Sequence, residues 1–328
     1  LKTANYQGLK RTNTLKSKRF SHKLYKSMSH KYLKGKDVAK PIREDITKRV
    51  AALKEQGWVP SLASIEVGDN PAAKLYIRNQ RRTAEKLNIN FEERQYPETI
   101  STDELVAAIM AMNVDPRITG IILQRPLPDH IDLGAIQTAI TAPKDVEGMH
   151  PANIGKVVYD DYVLGPCTSL ASIECLKATG MELRGLEVVV VGHSEIVGKP
   201  LGLHLMGALA TVTVCHHGTR NLAVHTRRAD AVFVAVGKPG LITGNMIKPG
   251  AAVIDIGINQ IEVTNEAGER VKKTVGDVDF DSVHEVAGWI TPVPGGVGPV
   301  TLSILMRNTV AAVEAQKKVY EARMLKGD

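Results

Sequence analysis

Residues 186–200 read LEVVVVGHSEIVGKP, and this stretch decides the fold. Four consecutive valines between Leu186 and Gly192 make a fully apolar run. A strand of that kind must be covered on both faces, as in a parallel sheet packed between helices. The run ends at Gly192, and IVGKPLGLHLMGALA follows with helical spacing. A strand that turns through glycine into a helix directs backbone N–H groups at the helix start, where a phosphate can be held. The spacing is not G-x-G-x-x-G. Ser194 stands at the second glycine position, and Gly198 comes one residue late. A tight strand-to-helix turn with no ligand is the simpler alternative.

The pattern repeats outward from this point. ATVTVC (210–215), AVFVAVG (231–237) and AAVIDIG (251–257) read as further strands, with LAVHTRRA as a short helix between the first two. Strand, glycine and helix at this spacing predict a doubly wound dinucleotide-binding lobe. After the second of its strands comes CHHGTR (215–220), where such a lobe meets the adenosine ribose. No acidic residue is present there to bind a 2′-hydroxyl. His216, His217 and Arg220 suit a 2′-phosphate better, although imidazole is only a partial cation at neutral pH. A solvated loop is the alternative.

Upstream, the apolar residues Val38, Ile42, Ile46, Val50 and Leu53 predict a helix over 36–57 stopped by Gly57. LASIEVG (62–68) reads as a strand, PAAKLYIRNQRRTAEKLNI as a helix and NFEERQYP as a strand. STDELVAAIMAMN is a helix with Ser101 and Glu104 as a capping box, and ITGIILQRPLP is a buried strand leaving into a proline-broken loop. The alternation predicts a second α/β lobe with a mostly parallel sheet. Leu302 to Met324 reads as a closing helix. Tyr76 and Gln80 lie four apart on the helix after Pro71 and share one face. Arg81 and Arg82 point away from it.

Bulk properties narrow the function. The 328 residues suffice for two ordinary domains. The formal charge of +7 suggests nucleic acid, but residues 1–27 carry eight of the 42 Lys and Arg residues and no Asp or Glu. Without them the chain is near neutral, so no nucleic-acid partner is expected of the folded body. That segment has no apolar run, and helical periodicity starts only after Met28. A non-native extension, a disordered arm or a targeting segment are the readings open for it. No apolar run is long enough for a membrane span. Cys167, Cys175 and Cys215 are odd in number and lack CxxC spacing, which predicts reduced buried thiols and no metal.

Five motifs in order carry a family resemblance: GIILQRPLP (120–128), VGHSEIVGKP (191–200), KPGAAVIDIGIN (248–259), VGDVDF (275–280) and TPVPGGVGPVT (291–301). Together they resemble the methylenetetrahydrofolate dehydrogenase/cyclohydrolase family over residues 30 to about 317. The resemblance implies an α/β fold with an N-terminal catalytic domain, a C-terminal Rossmann-type NAD(P)-binding domain and a cleft between them. The expected boundaries are 28–165 plus 302–324 for the first and 166–301 for the second. It further implies a cytoplasmic homodimer joined through the Rossmann domain, with folate as small-molecule substrate. The family oxidises methylenetetrahydrofolate to methenyltetrahydrofolate with NADP, and most members then hydrolyse that cation to formyltetrahydrofolate without a metal.

Carried over residue by residue, the resemblance implies that Tyr76 and Gln124 contact the folate at the reacting centre. Glu147, Pro292, Gly295 and Gly296 line the substrate. Gly192, His193, Ser194, His217, Ile258 and Gly298 meet the cofactor. Glycine in the 292–299 loop lets backbone approach flat rings closely.

This chain departs from the family pattern at several positions. Gln80 replaces the catalytic lysine four residues after Tyr76, Glu147 replaces an aspartate, and Arg125 replaces an apolar residue. His193 and His217 replace the usual arginine and serine of the 2′-phosphate site, which opens NAD as an alternative cofactor. Hydride transfer needs alignment of donor and acceptor more than a strong base. Hydrolysis of the methenyl cation needs proton transfer, and glutamine cannot titrate. The expectation is a dehydrogenase with a weak or absent second step. The alternatives are a compensated bifunctional enzyme, a dehydrogenase for another one-carbon pterin, and a silent nucleotide-binding regulator.

Overall fold

The computed structural model describes residues 32–264 and 268–326. The readings made for residues 1–27 lie outside these.

The first lobe follows the expected alternation: α1 (Gly35–Glu55), β1 (Ser61–Val67), α2 (Pro71–Lys86), β2 (Asn90–Tyr96), α3 (Thr102–Val114) and β3 (Gly120–Leu123). In α1 the apolar stripe Val38, Ile42, Ile46, Val50 and Leu53 is buried. The chain leaves that helix through Gly57 at φ +79°. The capping box forms at α3: Ser101 Oγ accepts from Glu104 N at 3.3 Å, and Glu104 Oε2 accepts from Ser101 N at 2.9 Å. The strands make a parallel sheet in the order β2-β1-β3. All seven residues of the central β1 are buried. Ile65, Leu105, Ile109, Ile121 and Leu123 fill the core between this sheet and α3.

Three helices that the sequence reading did not resolve connect the lobes: α4 (Leu133–Ala139), α5 (Pro151–Val158) and α6 (Cys167–Lys177). The second lobe comprises β4 (Glu187–Val191), α7 (Gly198–Gly207), β5 (Thr211–Cys215), α8 (Leu222–Thr226), β6 (Ala231–Val234) and β7 (Ala252–Asp255). After these come β8 (Asn259–Thr264), β9 (Arg270–Val275), α9 (Phe280–Val286) and β10 (Trp289–Ile290). Five strands pair in parallel in the order β10-β7-β6-β4-β5. Strand order reverses at β4, whose neighbours are β5 on one side and β6 on the other. The glycine turn after β4 therefore sits at the switch point, where ligands of such sheets bind. β8 and β9 form a separate antiparallel pair.

The closing helix α10 runs Val297–Lys326, starting five residues before the expected Leu302. Proline and glycine read as breakers in sequence. Pro299 falls in the first turn, where an amide N–H would have no intrahelical partner anyway. Gly298 is thus a first-turn residue and not part of the preceding loop. The helix returns to α1. Arg49 forks onto Glu314 with contacts of 2.9 and 2.8 Å, and Arg43 Nε donates to Ser303 Oγ at 2.9 Å.

Candidate active site

α2 turns Tyr76 and Gln80 inward by one helical turn. Gln80 is fully buried, and Tyr76 is partly buried. The arginines face outward: Arg78 and Arg82 are exposed, and Arg81 pairs with Glu93 on β2. Beneath Gln80 lie the ends of β1 and β3. Gln124 N donates to Ile65 O at 2.8 Å, the last rung before the Pro126–Pro128 segment breaks the strand. Gln124 Nε2 donates to Gln80 Oε1 at 3.0 Å and to Ser64 Oγ at 2.9 Å, while Ser64 Oγ lies 3.4 Å from Gln80 Oε1. Three neutral polar side chains thus close a buried set in which no member titrates at ordinary pH. Gln80 Nε2 is buried with no partner of hydrogen-bonding geometry among the described residues.

A cavity opens beside this set, lined by Tyr76, Ile122, Glu147, Met149, Cys167, Thr168, Ile196, Thr301 and Leu305. It draws on α2, β3, the segment between α4 and α5, the first turns of α6 and α10, and the glycine turn of the second lobe. Burial pushes the Glu147 carboxyl up to about 7. Arg125 opposes that shift, and Asp145 adds to it. Burial is also the main cause that raises the Tyr76 hydroxyl, with Cys167 and Glu147 acting the same way and Gln80 opposing. Asp145 fixes the turn that carries Glu147, accepting from Gly148 N at 3.1 Å, His150 N at 2.7 Å and Asn153 Nδ2 at 2.9 Å. Arg125 Nε is buried with no hydrogen-bond partner among the described residues. The cysteines are free and buried, and burial pushes the Cys167 thiol well up, which disfavours its thiolate.

The 291–296 loop is seated on the first lobe. Gly35 N donates to Gly295 O at 2.8 Å, and a Cβ on Gly35 would come within 1.8 Å of Gly296 O. Gly295 has φ +102°, and a Cβ on Gly296 would meet Pro292 O at 2.6 Å. Gly35 and Gly296 are required for backbone-to-backbone packing within the protein, and Gly295 for its positive φ. Pro292, Gly295, Gly296 and Gly298 are not among the residues lining the Tyr76 cavity.

In the second lobe, Gly192 has φ +125°, and its missing Cβ would lie 2.2 Å from Ala235 O. Gly198, one residue late by the usual spacing, packs on that turn: a Cβ there would sit 2.1 Å from Gly192 O. Ser194 closes the turn, its Oγ accepting from Val197 N at 3.2 Å and its carbonyl from Lys199 N at 3.0 Å. His193, Ser194 and His217 are exposed, and Ile258 is 72% exposed. None of these four lines the Tyr76 cavity. An exposed, glycine-permitted turn at the sheet's switch point fits a dinucleotide phosphate.

The sequence reading passed over Ser64, Asp255 and Asp277. Asp255 accepts from Gly257 N, Asp277 N and Val278 N, each at 3.0 Å. Asp277 Oδ2 accepts from Val236 N at 2.6 Å and Gly237 N at 3.0 Å. The two carboxylates thus tie the ends of β6 and β7 to the VGDVDF segment. Burial pushes Asp255 up to about 6 against these amide donors. The available signal was a polar residue inside a buried apolar strand, Ser64 in LASIEV and Asp255 in AAVID, since buried polar groups need partners.

A two-lobed α/β fold with a glycine turn at the switch point of its parallel sheet, and a largely apolar cavity that carries Tyr76 and Glu147, defines a dinucleotide-binding enzyme. The tetrahydrofolate dehydrogenase/cyclohydrolase models match it twice, the catalytic domain over 33–147 and the NAD(P)-binding domain over 166–317. The chain belongs to this family. It is 58% identical over 292 residues to the bifunctional protein FolD 2 of Mesorhizobium japonicum, covering 89% of this chain and 94% of that one. It is 47% identical over 285 residues to the bifunctional protein FolD of Moorella thermoacetica, covering 87% and 99%. Among solved structures, it is similar to the Trypanosoma brucei methylenetetrahydrofolate dehydrogenase-cyclohydrolase complexed with NADP and an inhibitor. There the TM-score is 0.82 at 35% identity, with 88% and 98% covered.

Proposed function

We propose that the protein oxidises 5,10-methylenetetrahydrofolate to 5,10-methenyltetrahydrofolate with NADP, and that its hydrolysis of the product is weak or absent. The observation that carries this reading is the buried Gln124–Gln80–Ser64 set under Tyr76. When bound, the dinucleotide accepts the hydride. The chain's own part is orientation: Tyr76 forms the wall against which the pterin packs, and Gln124 fixes the amide of Gln80. Gln80, fully buried, acts on the substrate through Tyr76, whose hydroxyl its side chain bears on. An amide of this kind aligns a ring but takes no proton from water. Glu147 binds the donor edge of the pterin, and the loop from Pro292 through Gly295 and Gly296 covers the rings.

Gly192, His193, Ser194, His217, Ile258 and Gly298 hold the cofactor in this reading. The exposure of the three polar side chains beside the switch-point turn supports it. NADP is favoured over NAD because the turn after β5 offers imidazoles and Arg220 and no carboxylate. The division into 28–165 plus 302–324 and 166–301 is part of the proposal, supported by the Arg49–Glu314 and Arg43–Ser303 ties of α10 to α1. So is a cytoplasmic homodimer through the second lobe, supported by exposed Met206, Leu209 and Val214 around the edge strand β5. Among the described residues no helix is long and apolar enough to cross a membrane.

Two assays test the proposal: reduction of NADP with methylenetetrahydrofolate, and loss of methenyltetrahydrofolate against a buffer blank. Enzymatic hydrolysis at a rate comparable to the hydride step would sink it. A second reading is favoured by one observation. Glu147, held near 7 in the same cavity as Tyr76, is a titratable group where the lysine is missing. In that reading both activities persist and Glu147→Gln abolishes hydrolysis while sparing most of the oxidation.

A further inference from the structure

Strands β4 and β5 are paired so that Val191 lies opposite Cys215. The residues that follow each strand therefore emerge side by side: His193 from one turn, His216 and His217 from the other. Their ring centroids are 5.0, 5.6 and 5.8 Å apart, and one nitrogen from each lies within 4.8 Å of the others. All three are exposed. None of them lines the Tyr76 cavity.

We propose that His193, His216 and His217 form a three-imidazole site for a divalent transition-metal ion such as Zn²⁺, and that the held ion anchors the cofactor's 2′-phosphate. Imidazole suits zinc, nickel and copper and discriminates against magnesium and calcium, which prefer oxygen. Metal–nitrogen bonds of about 2.0–2.1 Å need nitrogens roughly 3.3 Å apart in a tetrahedral set. Exposed rings reach that by small rotations about their side-chain bonds. His216 Nδ1 accepts from Gly218 N at 3.1 Å, and metal binding gives up that bond. His216 N stays fixed on Thr219 Oγ1 at 2.9 Å, so the turn itself remains in place. Three protein ligands leave a fourth position open, and a phosphate oxygen can fill it. The ion supplies a fixed positive charge beside the phosphate. This second half rests on the reading that the turn after β5 meets the 2′-phosphate.

The test is calorimetric titration of the tag-free full chain with Zn²⁺, without cofactor. NADP and NAD titrations with and without one equivalent of Zn²⁺ follow. One ion per chain is expected, bound at least about tenfold more weakly by His193→Ala, His216→Ala and His217→Ala alike. NADP is expected to bind about tenfold more tightly with Zn²⁺, with NAD unaffected. Zinc affinity must then rise by the same factor when NADP is present. No one-to-one binding, or binding that survives all three substitutions, overturns the metal site. Zinc that binds as expected but leaves NADP unchanged or weakened overturns the phosphate anchor. The cofactor reading of the turn is judged separately, in EDTA. It fails if His217→Ala leaves the NADP-to-NAD affinity ratio at the wild-type value.

Discussion

Gln124 donates from Nε2 to Oε1 of Gln80 at 3.0 Å, across the gap between β3 and α2. The bond holds two buried amides in one orientation and leaves the Gln80 Nε2 to bear on Tyr76. A lysine at position 80 would bring a titratable amine into the same burial, where desolvation lowers its pKa toward the working range. Gln80→Lys is therefore expected to raise methenyltetrahydrofolate hydrolysis by about 10²-fold and to change the oxidation rate much less. Parallel hydrolysis and oxidation assays read this. Equal effects on both would remove position 80 from the proton-transfer step.

Gly35 and Gly296 pack backbone against backbone. Gly35→Ala places a methyl within 1.8 Å of a carbonyl oxygen, so the 291–296 loop must move. The expected cost is about 1–3 kcal/mol of stability, with a raised folate KM. Thermal melts and folate titrations measure both, and wild-type values in each would show that the loop tolerates displacement.

Glu147 is pushed above its ordinary range, to about 7. The fold favours its protonated form, so its contribution to stability is full below about pH 4.5 and lost as pH rises through about 7. Glu147→Gln removes that loss, worth up to about 3 kcal/mol near pH 8. Denaturant titrations of both proteins at pH 5 and pH 8 are expected to agree at the lower pH and diverge at the higher, the variant being more stable. Asp255 shifts in the same direction in both proteins and cancels in the comparison.

His204 behaves in the opposite sense. It is buried edge-on to Tyr162 with centroids 4.6 Å apart, and neither ring nitrogen has a partner among the described residues. Burial, with a smaller effect from Lys177, lowers it to about 4. Its neutral form supports the fold above about pH 6.5, and that support is lost as pH falls toward 4. His204→Leu is expected to flatten the decline in melting temperature between pH 6.5 and 4. An unchanged acid limb would mean that other groups cause it.

Cofactor choice tests the imidazoles directly. In metal-free buffer the kcat/KM preference for NADP over NAD is expected to be about tenfold lower in His217→Ala than in the wild type. An unchanged preference would assign the phosphate to a permanent cation such as Arg220.

The sequence by itself determined the alternation of elements, since a run such as EVVVV can only be a strand covered on both faces, and helix spacing such as Val38 to Leu53 buries one stripe. It also determined the family, through glycines and prolines whose order is hard to match by chance, and it set Gln80 one helical turn after Tyr76. Tertiary structure decided what these residues touch. Ser64 reaches Gln80 only because β1 passes beneath α2, and Gly198 answers to Gly192 only when the turn has closed. Asp255 and Asp277 each find their own amide donors only where β6 and β7 end together. The three histidines meet because β4 and β5 pair with Val191 opposite Cys215. Periodicity records which face of an element is buried, whereas contacts between distant segments depend on sheet order and register, which no local pattern encodes.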